Sequence, residues 1–235
     1  MREEVIGGQR LILGDCRDYV ASIVADAFLT DPFYGVDGGK GGQAREKGKA
    51  KYHPQNWEDT PESVAEIVVP VVEYMLGACQ RGAATPGWLC MRMYPQPADV
   101  GCFWTPAAAQ RGPWGFSTFN PILYYGKDYR AGKGPLPNGT QVNERAEKNG
   151  HPCPKPLQAW TWLLEKVAQQ TDIVLDPFMG SGTTLVACEN TGRHGIGIEI
   201  ELKFFDIACR EVEKATKQQK LGFDAPEPQT LSMAL

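Results

Sequence analysis

The sequence lacks the features that mark three common classes of protein. Its seven cysteines include no Cys-x-x-Cys pair, which argues against a structural zinc site and against a disulfide framework. No apolar run approaches the ~20 residues that a membrane-spanning helix needs, and the first four residues do not open a signal peptide. A net charge of -4 excludes a uniformly basic coat for nucleic acid. We therefore expect a soluble, cytoplasmic protein with no metal ion and no membrane partner.

The sequence does contain short apolar runs that alternate with helical patterns, which is typical of an α/β sheet. Its 235 residues, 42% of them hydrophobic, can bury one core, so we expect a single domain over residues 1–221 and a flexible tail over 222–235. The predicted strands cover residues 11–13, 27–30, 87–93, 172–175 and 195–199, and residues 115–126 are predicted to form a late strand or hairpin. The predicted helices cover residues 60–80, where Pro70 should kink or split the helix, 156–169, with Leu157 among the inward residues, 183–190 and 201–218.

Two strand ends are the most informative positions, because each runs into an Asp-Pro-Phe turn. The first turn is Asp31-Pro32-Phe33-Tyr34. The second, Asp176-Pro177-Phe178, continues through Gly180-Ser181-Gly182 into a helix that begins at Thr183. Glycines at such a point let the backbone pass close to a bound ligand. Glu199 ends the next strand, 17 residues after Gly182, and is placed to accept hydrogen bonds from ribose hydroxyls.

The glycine loop is compatible with two kinds of cofactor. NAD is the competing interpretation, but the third glycine of the nicotinamide fingerprint is missing, because Thr183-Thr184-Leu185 follows the Gly-x-Gly. The fuller string from Asp176 to Thr184, with Gly-Ile-Glu one strand later, closely resembles the cofactor motif of the amino-methyltransferases. Those enzymes move a methyl group from S-adenosylmethionine to an exocyclic nitrogen of a DNA base.

The resemblance extends to the order of the motifs, because the Asp31 turn precedes the cofactor loop, as in the permuted beta group of that family. Gly14-Asp15-Cys16 is similar to the family's strand end at the cofactor adenine, and residues 151–156 to its His-Pro-x-x-Lys-Pro segment at the methionine end. The resemblance implies a Rossmann-like methyltransferase fold, with a mostly parallel seven-stranded sheet and helices on both faces. It also implies S-adenosylmethionine as the cofactor and S-adenosylhomocysteine as the product, bound by Asp15, Cys16, Lys155, Asp176, Phe178, Gly180, Ser181, Gly182, Thr183 and Glu199.

The resemblance places catalysis in the first turn, at Asp31, Pro32, Phe33 and Tyr34. An exocyclic amino group is a poor nucleophile because its lone pair is delocalised into the ring. The Asp31 carboxylate and the Pro32 carbonyl would accept its N–H bonds and stabilise the positive charge that develops on nitrogen. The Tyr34 ring would stack on a base flipped out of the duplex. The family's usual string is Asp-Pro-Pro-Tyr, and Phe33 replaces the second proline in this sequence. An Asp at the first position of the turn resembles the adenine-N6 enzymes more than the cytosine-N4 enzymes.

Basic residues concentrate in the segment that follows this turn, residues 36–59, which we expect to be a mobile loop. Between positions 40 and 51, five basic residues and one acidic residue give a local charge of +4. A solvated loop is one interpretation. We favour contact with DNA phosphates, through Lys40, Arg45, Lys47, Lys49 and Lys51.

The region between the late strand and the cofactor loop is short. Only 24 residues separate Gly126 from His151, where members of the family usually carry a recognition domain. This predicts a minimal recognition region over residues 127–150 and relaxed or very short sequence specificity. The alternative is that a homodimer partner or a separate specificity subunit recognises the DNA sequence.

Three alternatives for the function stay open. The target could be cytosine N4 rather than adenine N6. The acceptor could be RNA or a protein glutamine amide, although the motif order is characteristic of the DNA group. Finally, Phe33 could impair the turn, which would leave a cofactor-binding protein that acts as an interaction module.

Overall fold

The computed structural model describes residues 2–36, 58–106, 111–112, 114–130, 132 and 136–223. The strands are β1 (Arg2–Ile6), β2 (Gln9–Leu13), β3 (Ala27–Thr30), β4 (Arg81–Ala84), β5 (Asp99–Trp104), β6 (Arg111–Gly112), β7 (Gly115–Phe116), β8 (Phe119–Gly126), β9 (Thr140–Gln141), β10 (Ile173–Asp176) and β11 (His194–Glu199). The α-helices are α1 (Cys16–Tyr19), α2 (Pro61–Ser63), α3 (Val69–Ala78), α4 (Gly87–Cys90), α5 (Leu157–Val167), α6 (Thr183–Asn190) and α7 (Leu202–Phe223). A π-helical segment, Val64–Val68, connects α2 to α3, and 3₁₀ turns follow α1 (Val20–Ser22) and α4 (Met91–Met93).

Nine strands of the described chain form one mixed sheet, in the order β1-β2-β11-β10-β3-β4-β8-β5-β9, and β6 pairs with β7 separately. The five strands in the middle, β2, β11, β10, β3 and β4, run parallel to one another. The expected number of seven strands is therefore wrong. The expected α/β class and mostly parallel arrangement are confirmed, and antiparallel pairing is confined to β1 with β2 and to β8 with β4 and β5.

Helices cover both faces of the sheet, as parallel strands buried on two sides require. The helical segments α1 to α3 pack on one face, in a cluster that includes Ile12, Phe28 and Met75. On the other face α5 and α6 pack over Leu29 and Val174, and α7 packs against α6. Phe28 and Leu29 are neighbours in β3 and enter opposite clusters, because successive side chains of a strand point to opposite faces.

The pairing of β3 with β10 creates a topological switch point in the sheet. Val174 lies opposite Ala27, and Leu175 lies opposite Phe28. The chain leaves β10 toward α6 on one face and leaves β3 toward α2 and α3 on the other face. Parallel α/β sheets bind ligands in the crevice outside the strand ends at such a point. The residues that follow β3 and β10 are therefore placed to line one site.

One predicted strand is wrong. Residues 87–93 form α4 and a 3₁₀ turn, and they leave Trp88 and Leu89 exposed. The strand lies instead at β4, whose Arg-Gly-Ala-Ala sequence has no apolar pattern that sequence analysis could recognise. Packing requires these small residues, because a Cβ on Gly82 would lie 2.3 Å from Cδ1 of Phe28.

The helix predicted over residues 60–80 forms with an interruption. Thr60 caps it, since the Ser63 N–H donates to Thr60 Oγ1 at 3.2 Å, and Pro61 occupies the first turn. Pro70 lies near the start of α3, directly after the π-helical segment. Proline lacks the N–H of a regular helical turn, so a local change of helix type at this point is the split that the sequence predicts.

The two C-terminal helices largely match their predictions. In α5 the predicted face is buried at Trp160, Leu163, Leu164 and Val167, but Leu157, expected inward, is exposed at the first residue of the helix. The last helix, α7, continues to Phe223, beyond the predicted end near residue 218. The rest of the predicted tail, residues 224–235, lies outside the described residues.

A buried ion pair connects the start of β4 to the residue before β10. The Arg81 guanidinium contacts the Asp172 carboxylate, and each side chain is only 8% exposed. Arg81 Nε also donates to the Val167 carbonyl at 3.0 Å, and Asp172 Oδ2 accepts from the Gln169 N–H at 2.8 Å. The pair therefore holds the end of α5 against the two strands that flank β3.

Asp172→Asn should destabilise the protein strongly, because it leaves the Arg81 charge buried without its counter-ion. Removing one partner of a buried pair costs about 3–5 kcal/mol, which urea unfolding would measure. Glu213→Gln is the control, since it breaks the exposed pair between Glu213 and Lys217, 3.9 Å apart, and should cost less than about 0.5 kcal/mol. Equal losses in the two variants would contradict the role of the buried pair.

Candidate active site

The two Asp-Pro-Phe turns line one cavity of about 410 Å³ beyond the carboxyl ends of β3 and β10. Thr30 Oγ1 donates to Asp176 Oδ1 at 2.8 Å, so the last residue of β3 is bonded to the last residue of β10. The rings of Phe33 and Phe178 meet edge to face, with centroids 6.3 Å apart. Phe33 therefore packs the first turn against the second, and the expected shared crevice is confirmed.

Asp176 is an internal support of the cofactor loop. Its carboxylate accepts hydrogen bonds from the Thr30 hydroxyl, from the Thr184 hydroxyl at 2.5 Å and from the Phe178 N–H at 3.2 Å. The Thr184 hydroxyl in turn accepts from Trp160 Nε1 at 2.8 Å. Burial raises the pKa of Asp176 to about 6, and the three donors oppose that shift. These bonds fix the loop between β10 and α6 in one conformation.

The two glycines of the loop are required by the protein's own packing. Gly180 and Gly182 have φ values of 51° and 79°, in the left-handed region that favours glycine. A Cβ on Gly182 would lie 2.8 Å from the Cβ of Ala208 in α7, and a Cβ on Gly180 would lie 3.3 Å from Nε2 of His151. From the sequence, we expect these missing side chains to make room for a ligand. At Gly182 the space is taken by α7 instead.

Glu199 lies at the end of β11 and lines the cavity beside this loop. Its carboxylate accepts from the Gly180 N–H at 3.0 Å and from the Glu201 N–H at 2.8 Å. Burial raises the pKa of Glu199 to about 7, and the nearby Glu201 and Asp176 carboxyls contribute to that shift. A carboxylate already oriented by two backbone donors is suited to accept hydroxyl donors from a ligand.

The Asp31 carboxylate of the first turn contacts the polar groups of Tyr34, Thr85 and Lys155. Its Oδ1 accepts from the Tyr34 hydroxyl at 2.6 Å and from the Thr85 hydroxyl. Its Oδ2 pairs with the Lys155 ammonium at 2.6 Å. The side chains of Asp31 and Lys155 are 18% and 19% exposed, so the pair is largely shielded from water.

Lys155 and Tyr34 are bonded to each other as well as to Asp31. Lys155 Nζ donates to the Tyr34 hydroxyl at 2.9 Å. Burial alone would lower the pKa of Lys155, but the Asp31 carboxylate and the Tyr34 hydroxyl hold it well above its usual range. Burial and the Asp31 charge raise the pKa of Tyr34. The cluster therefore consists of an ammonium, a carboxylate and a protonated phenol.

Every predicted site residue in the described chain except Gly182 lines this cavity. The catalytic set consists of Asp31, Pro32, Phe33 and Tyr34, and the cofactor set of Asp15, Cys16, Lys155, Asp176, Phe178, Gly180, Ser181, Thr183 and Glu199. Asp15 also caps α1 and pairs with Arg17 at 2.5 Å. The predicted phosphate contacts Lys40, Arg45, Lys47, Lys49 and Lys51 lie outside the described residues.

Sequence reasoning missed Thr85 and Asp59. Thr85 follows β4, the strand that the sequence did not reveal, and its hydroxyl contacts Asp31. Asp59 Oδ1 accepts from the Gly35 N–H at 2.6 Å and from the Val36 N–H at 3.2 Å, so it holds the end of the first turn. Both contacts join residues at least 23 positions apart, and no local sequence motif predicts them.

Three further observations limit what the described residues can provide. Tyr125 is buried in the core and donates to the Pro95 carbonyl at 3.2 Å. Among the described residues no cluster of His, Cys, Asp and Glu could hold a metal ion. In the same part of the chain, no helix has the length and apolar character needed to cross a membrane.

Solved structures resemble this fold closely. The M1.HpyAVI structure in complex with S-adenosylmethionine superposes with a TM-score of 0.60, at 18% identity, over 87% of this chain and 98% of that chain. The PvuII DNA methyltransferase, described as cytosine-N4-specific, gives a TM-score of 0.64, at 14% identity, over 91% of this chain and 92% of its own. At such low identities the similarity establishes the fold.

Sequence comparisons extend this to the family. Type II methyltransferase M2.MboI of Moraxella bovis is 40% identical over 73 residues, 31% of this chain and 27% of that protein. M.HindIII of Haemophilus influenzae is 41% identical over 66 residues, 28% of this chain and 21% of its own length. These matches span about a quarter of the relatives. The N6_N4_Mtase family model, described as DNA methylase, matches residues 41–210, which is most of the chain. This chain belongs to that DNA methylase family.

Proposed function

We propose that this protein transfers a methyl group from S-adenosylmethionine to the exocyclic amino group of a base in DNA, and that the base is adenine, methylated at N6. The observation that carries the proposal is the shared cavity. A carboxylate beside a tyrosine, Asp31 and Tyr34, faces the same space as the glycine loop and Glu199. Such a cavity can hold an amino group and an adenosyl cofactor next to each other.

The cofactor side of the cavity has the chemistry that the ligand needs. Glu199 offers carboxylate oxygens to the ribose hydroxyls, and Phe178 and Met179 offer apolar surface. Asp176 holds the loop in place through Thr30 and Thr184. When bound, S-adenosylmethionine supplies an electrophilic methyl group on a sulfonium centre. The role of the surrounding residues is to orient that group toward the first turn.

The base side of the cavity would raise the reactivity of the amino nitrogen. The Asp31 carboxylate and the Pro32 carbonyl accept hydrogen bonds from the two N–H groups of the amino nitrogen. These bonds favour a pyramidal nitrogen with a localised lone pair. The same acceptors stabilise the positive charge that develops there during transfer. The Tyr34 hydroxyl donates to Asp31, so its ring is held in a fixed orientation for stacking on the base.

Adenine is the proposed base because an Asp begins the turn, as in the adenine-N6 enzymes that the sequence resembles. Cytosine N4 is the second candidate, and the similarity to the cytosine-N4-specific PvuII enzyme favours it. The short segment between Gly126 and His151 favours relaxed sequence specificity, with the basic residues between positions 40 and 51 on the phosphates.

Incubation of the protein with radiolabelled S-adenosylmethionine and unmethylated duplex DNA should label the DNA. Nucleoside mass spectrometry should then find N6-methyladenine, and the density of modified sites would measure the specificity. Detection of N4-methylcytosine would change the proposed base and would leave the proposed reaction class unchanged. Labelled RNA or protein with unlabelled DNA, or no label in any acceptor, would overturn the proposal.

Asp31→Asn should lower the transfer rate by roughly 100- to 1,000-fold, the loss expected when one preorganised electrostatic contact is removed. Its affinity for S-adenosylhomocysteine, measured by calorimetry, should stay within several-fold, because Asp31 belongs to the base side of the cavity. Asp18→Asn, which changes an exposed carboxylate of α1, is the control and should keep full activity. Equal losses of rate and cofactor affinity would contradict the role of Asp31.

Adenosine binding should depend on pH through Glu199. Its pKa is raised to about 7 by burial and by the nearby Glu201 and Asp176 carboxyls, so it loses its proton as the pH rises through that value. Only the ionised form accepts from both ribose hydroxyls. The affinity for 5′-methylthioadenosine, which keeps the ribose and lacks the amino acid, should therefore fall about tenfold from about pH 8 to about pH 6.

Calorimetry at several pH values would measure this dependence. Glu199→Gln has no carboxyl group to titrate, so it should bind 5′-methylthioadenosine more weakly and with a nearly flat pH profile. An equally steep profile in the variant would assign the titration to another group.

A further inference from the structure

The Lys155 ammonium occupies the oxygen of Asp31 that the proposed reaction needs. Asp31 Oδ1 already accepts from two hydroxyls, those of Tyr34 and Thr85. Oδ2 faces Lys155 Nζ at 2.6 Å. An amino group that bonds to Oδ2 would stand beside this cation, and the positive charge that the nitrogen gains during transfer would be repelled by it. Base binding and the contact between Lys155 and Asp31 therefore oppose each other.

Lys155 combines a restricted backbone with a flexible side chain. Pro154 and Pro156 flank the residue, and proline restricts both its own φ angle and the conformation of the residue before it. A lysine carries a compact charge on a flexible four-carbon chain, so a rotamer change suffices to move the ammonium.

Among its described residues, the cavity lining offers a ligand carboxylate few cationic partners. Among the described lining residues, Asp15, Asp31, Asp59, Asp176 and Glu199 carry carboxyl groups, while Arg17 and Lys155 are the cations. Arg17 is paired with Asp15 through two nitrogens, at 2.5 and 3.1 Å. Burial and the Lys155 charge lower the pKa of His151 to about 4, so His151 is neutral near pH 7. Lys155 is therefore the cation of this lining that can pair with a ligand carboxylate.

We propose that Lys155 exchanges Asp31 for the carboxylate of the methionine part of the bound cofactor, so that cofactor binding uncovers Asp31 and permits capture of the base. The inference rests on the proposed function and adds an order of binding to it. A single charged side chain thus couples the two halves of the cavity. Because such coupling is reciprocal, the captured base should also strengthen cofactor binding.

The wild-type protein tests this inference without any substitution. The probe is a duplex that the protein methylates, with 2-aminopurine next to the methylated base, because its fluorescence rises when its neighbour leaves the stack. S-adenosylhomocysteine, which carries the carboxylate, should raise the fluorescence of the complex. Saturating 5′-methylthioadenosine, which lacks the carboxylate, should leave it near the level without ligand. An equal rise with the two ligands would overturn the inference.

Lys155→Met provides the complementary test, because it removes the ammonium and keeps a chain of similar length. The variant should raise the fluorescence of the bound duplex with no ligand present. It should bind S-adenosylhomocysteine roughly 10- to 100-fold more weakly, the range of one charge-assisted hydrogen bond. Lys203→Met, at an exposed position of α7 outside the cavity lining, should behave as the wild type in both measurements. If the duplex bound to Lys155→Met shows no rise in fluorescence in the absence of ligand, the inference is overturned.

These outcomes separate the inference from the proposed function. Failure of the wild type to methylate DNA would reject the function itself. Methylation by the wild type together with an equal response to the two ligands would keep the function and reject the exchange. If Lys155→Met loses its circular dichroism signal, the ligand comparison on the wild type decides alone.

Discussion

The parallel pairing of β3 with β10 is the constraint on which the site depends. It is short, with Val174 opposite Ala27 and Leu175 opposite Phe28, yet it sets both Asp-Pro-Phe turns at one level of the sheet. The bond from Thr30 to Asp176 then fixes their relative height. A shift of one residue in this register would turn each side chain of β3 to the opposite face. It would remove Thr30 from Asp176 and separate the two halves of the cavity.

The second constraint is the negative charge gathered around this crevice. Carboxyl groups outnumber cations among the described residues of the lining, and burial raises the pKa of Asp176 to about 6 and that of Glu199 to about 7. Desolvated carboxylates are costly unless they are paired or hydrogen-bonded. Here hydroxyls, backbone N–H groups and one ammonium serve as partners. Such a lining is also favourable for a ligand whose reactive centre is a sulfonium cation.

The sequence predicted the parts of this arrangement that local signals encode. The bounds of β3 and α6 were predictable because the Asp-Pro-Phe turns and the glycine loop mark a strand end and a helix start. Strand β4 was not predictable, because its sequence shows no apolar period. Gly82 is required there by its close packing against the Phe28 ring. The partner of Lys155 was equally hidden, because its bonds reach Tyr34, 121 positions earlier in the chain. Contacts of this kind depend on the order of the strands in the sheet, which no single segment of the sequence encodes.

The same tripeptide, Asp-Pro-Phe, lies in two different surroundings in the two turns. Asp176 is 2% exposed and accepts hydrogen bonds from neutral donors, two hydroxyls and one backbone N–H. Its oxygens therefore hold the loop in place. Asp31 is 18% exposed, and one of its oxygens faces an ammonium on a flexible chain. A carboxylate bound by fixed hydroxyls cannot release them without loosening the fold, whereas one bound by a lysine can exchange its partner. The difference arises outside the tripeptide, from the residues that fold against it.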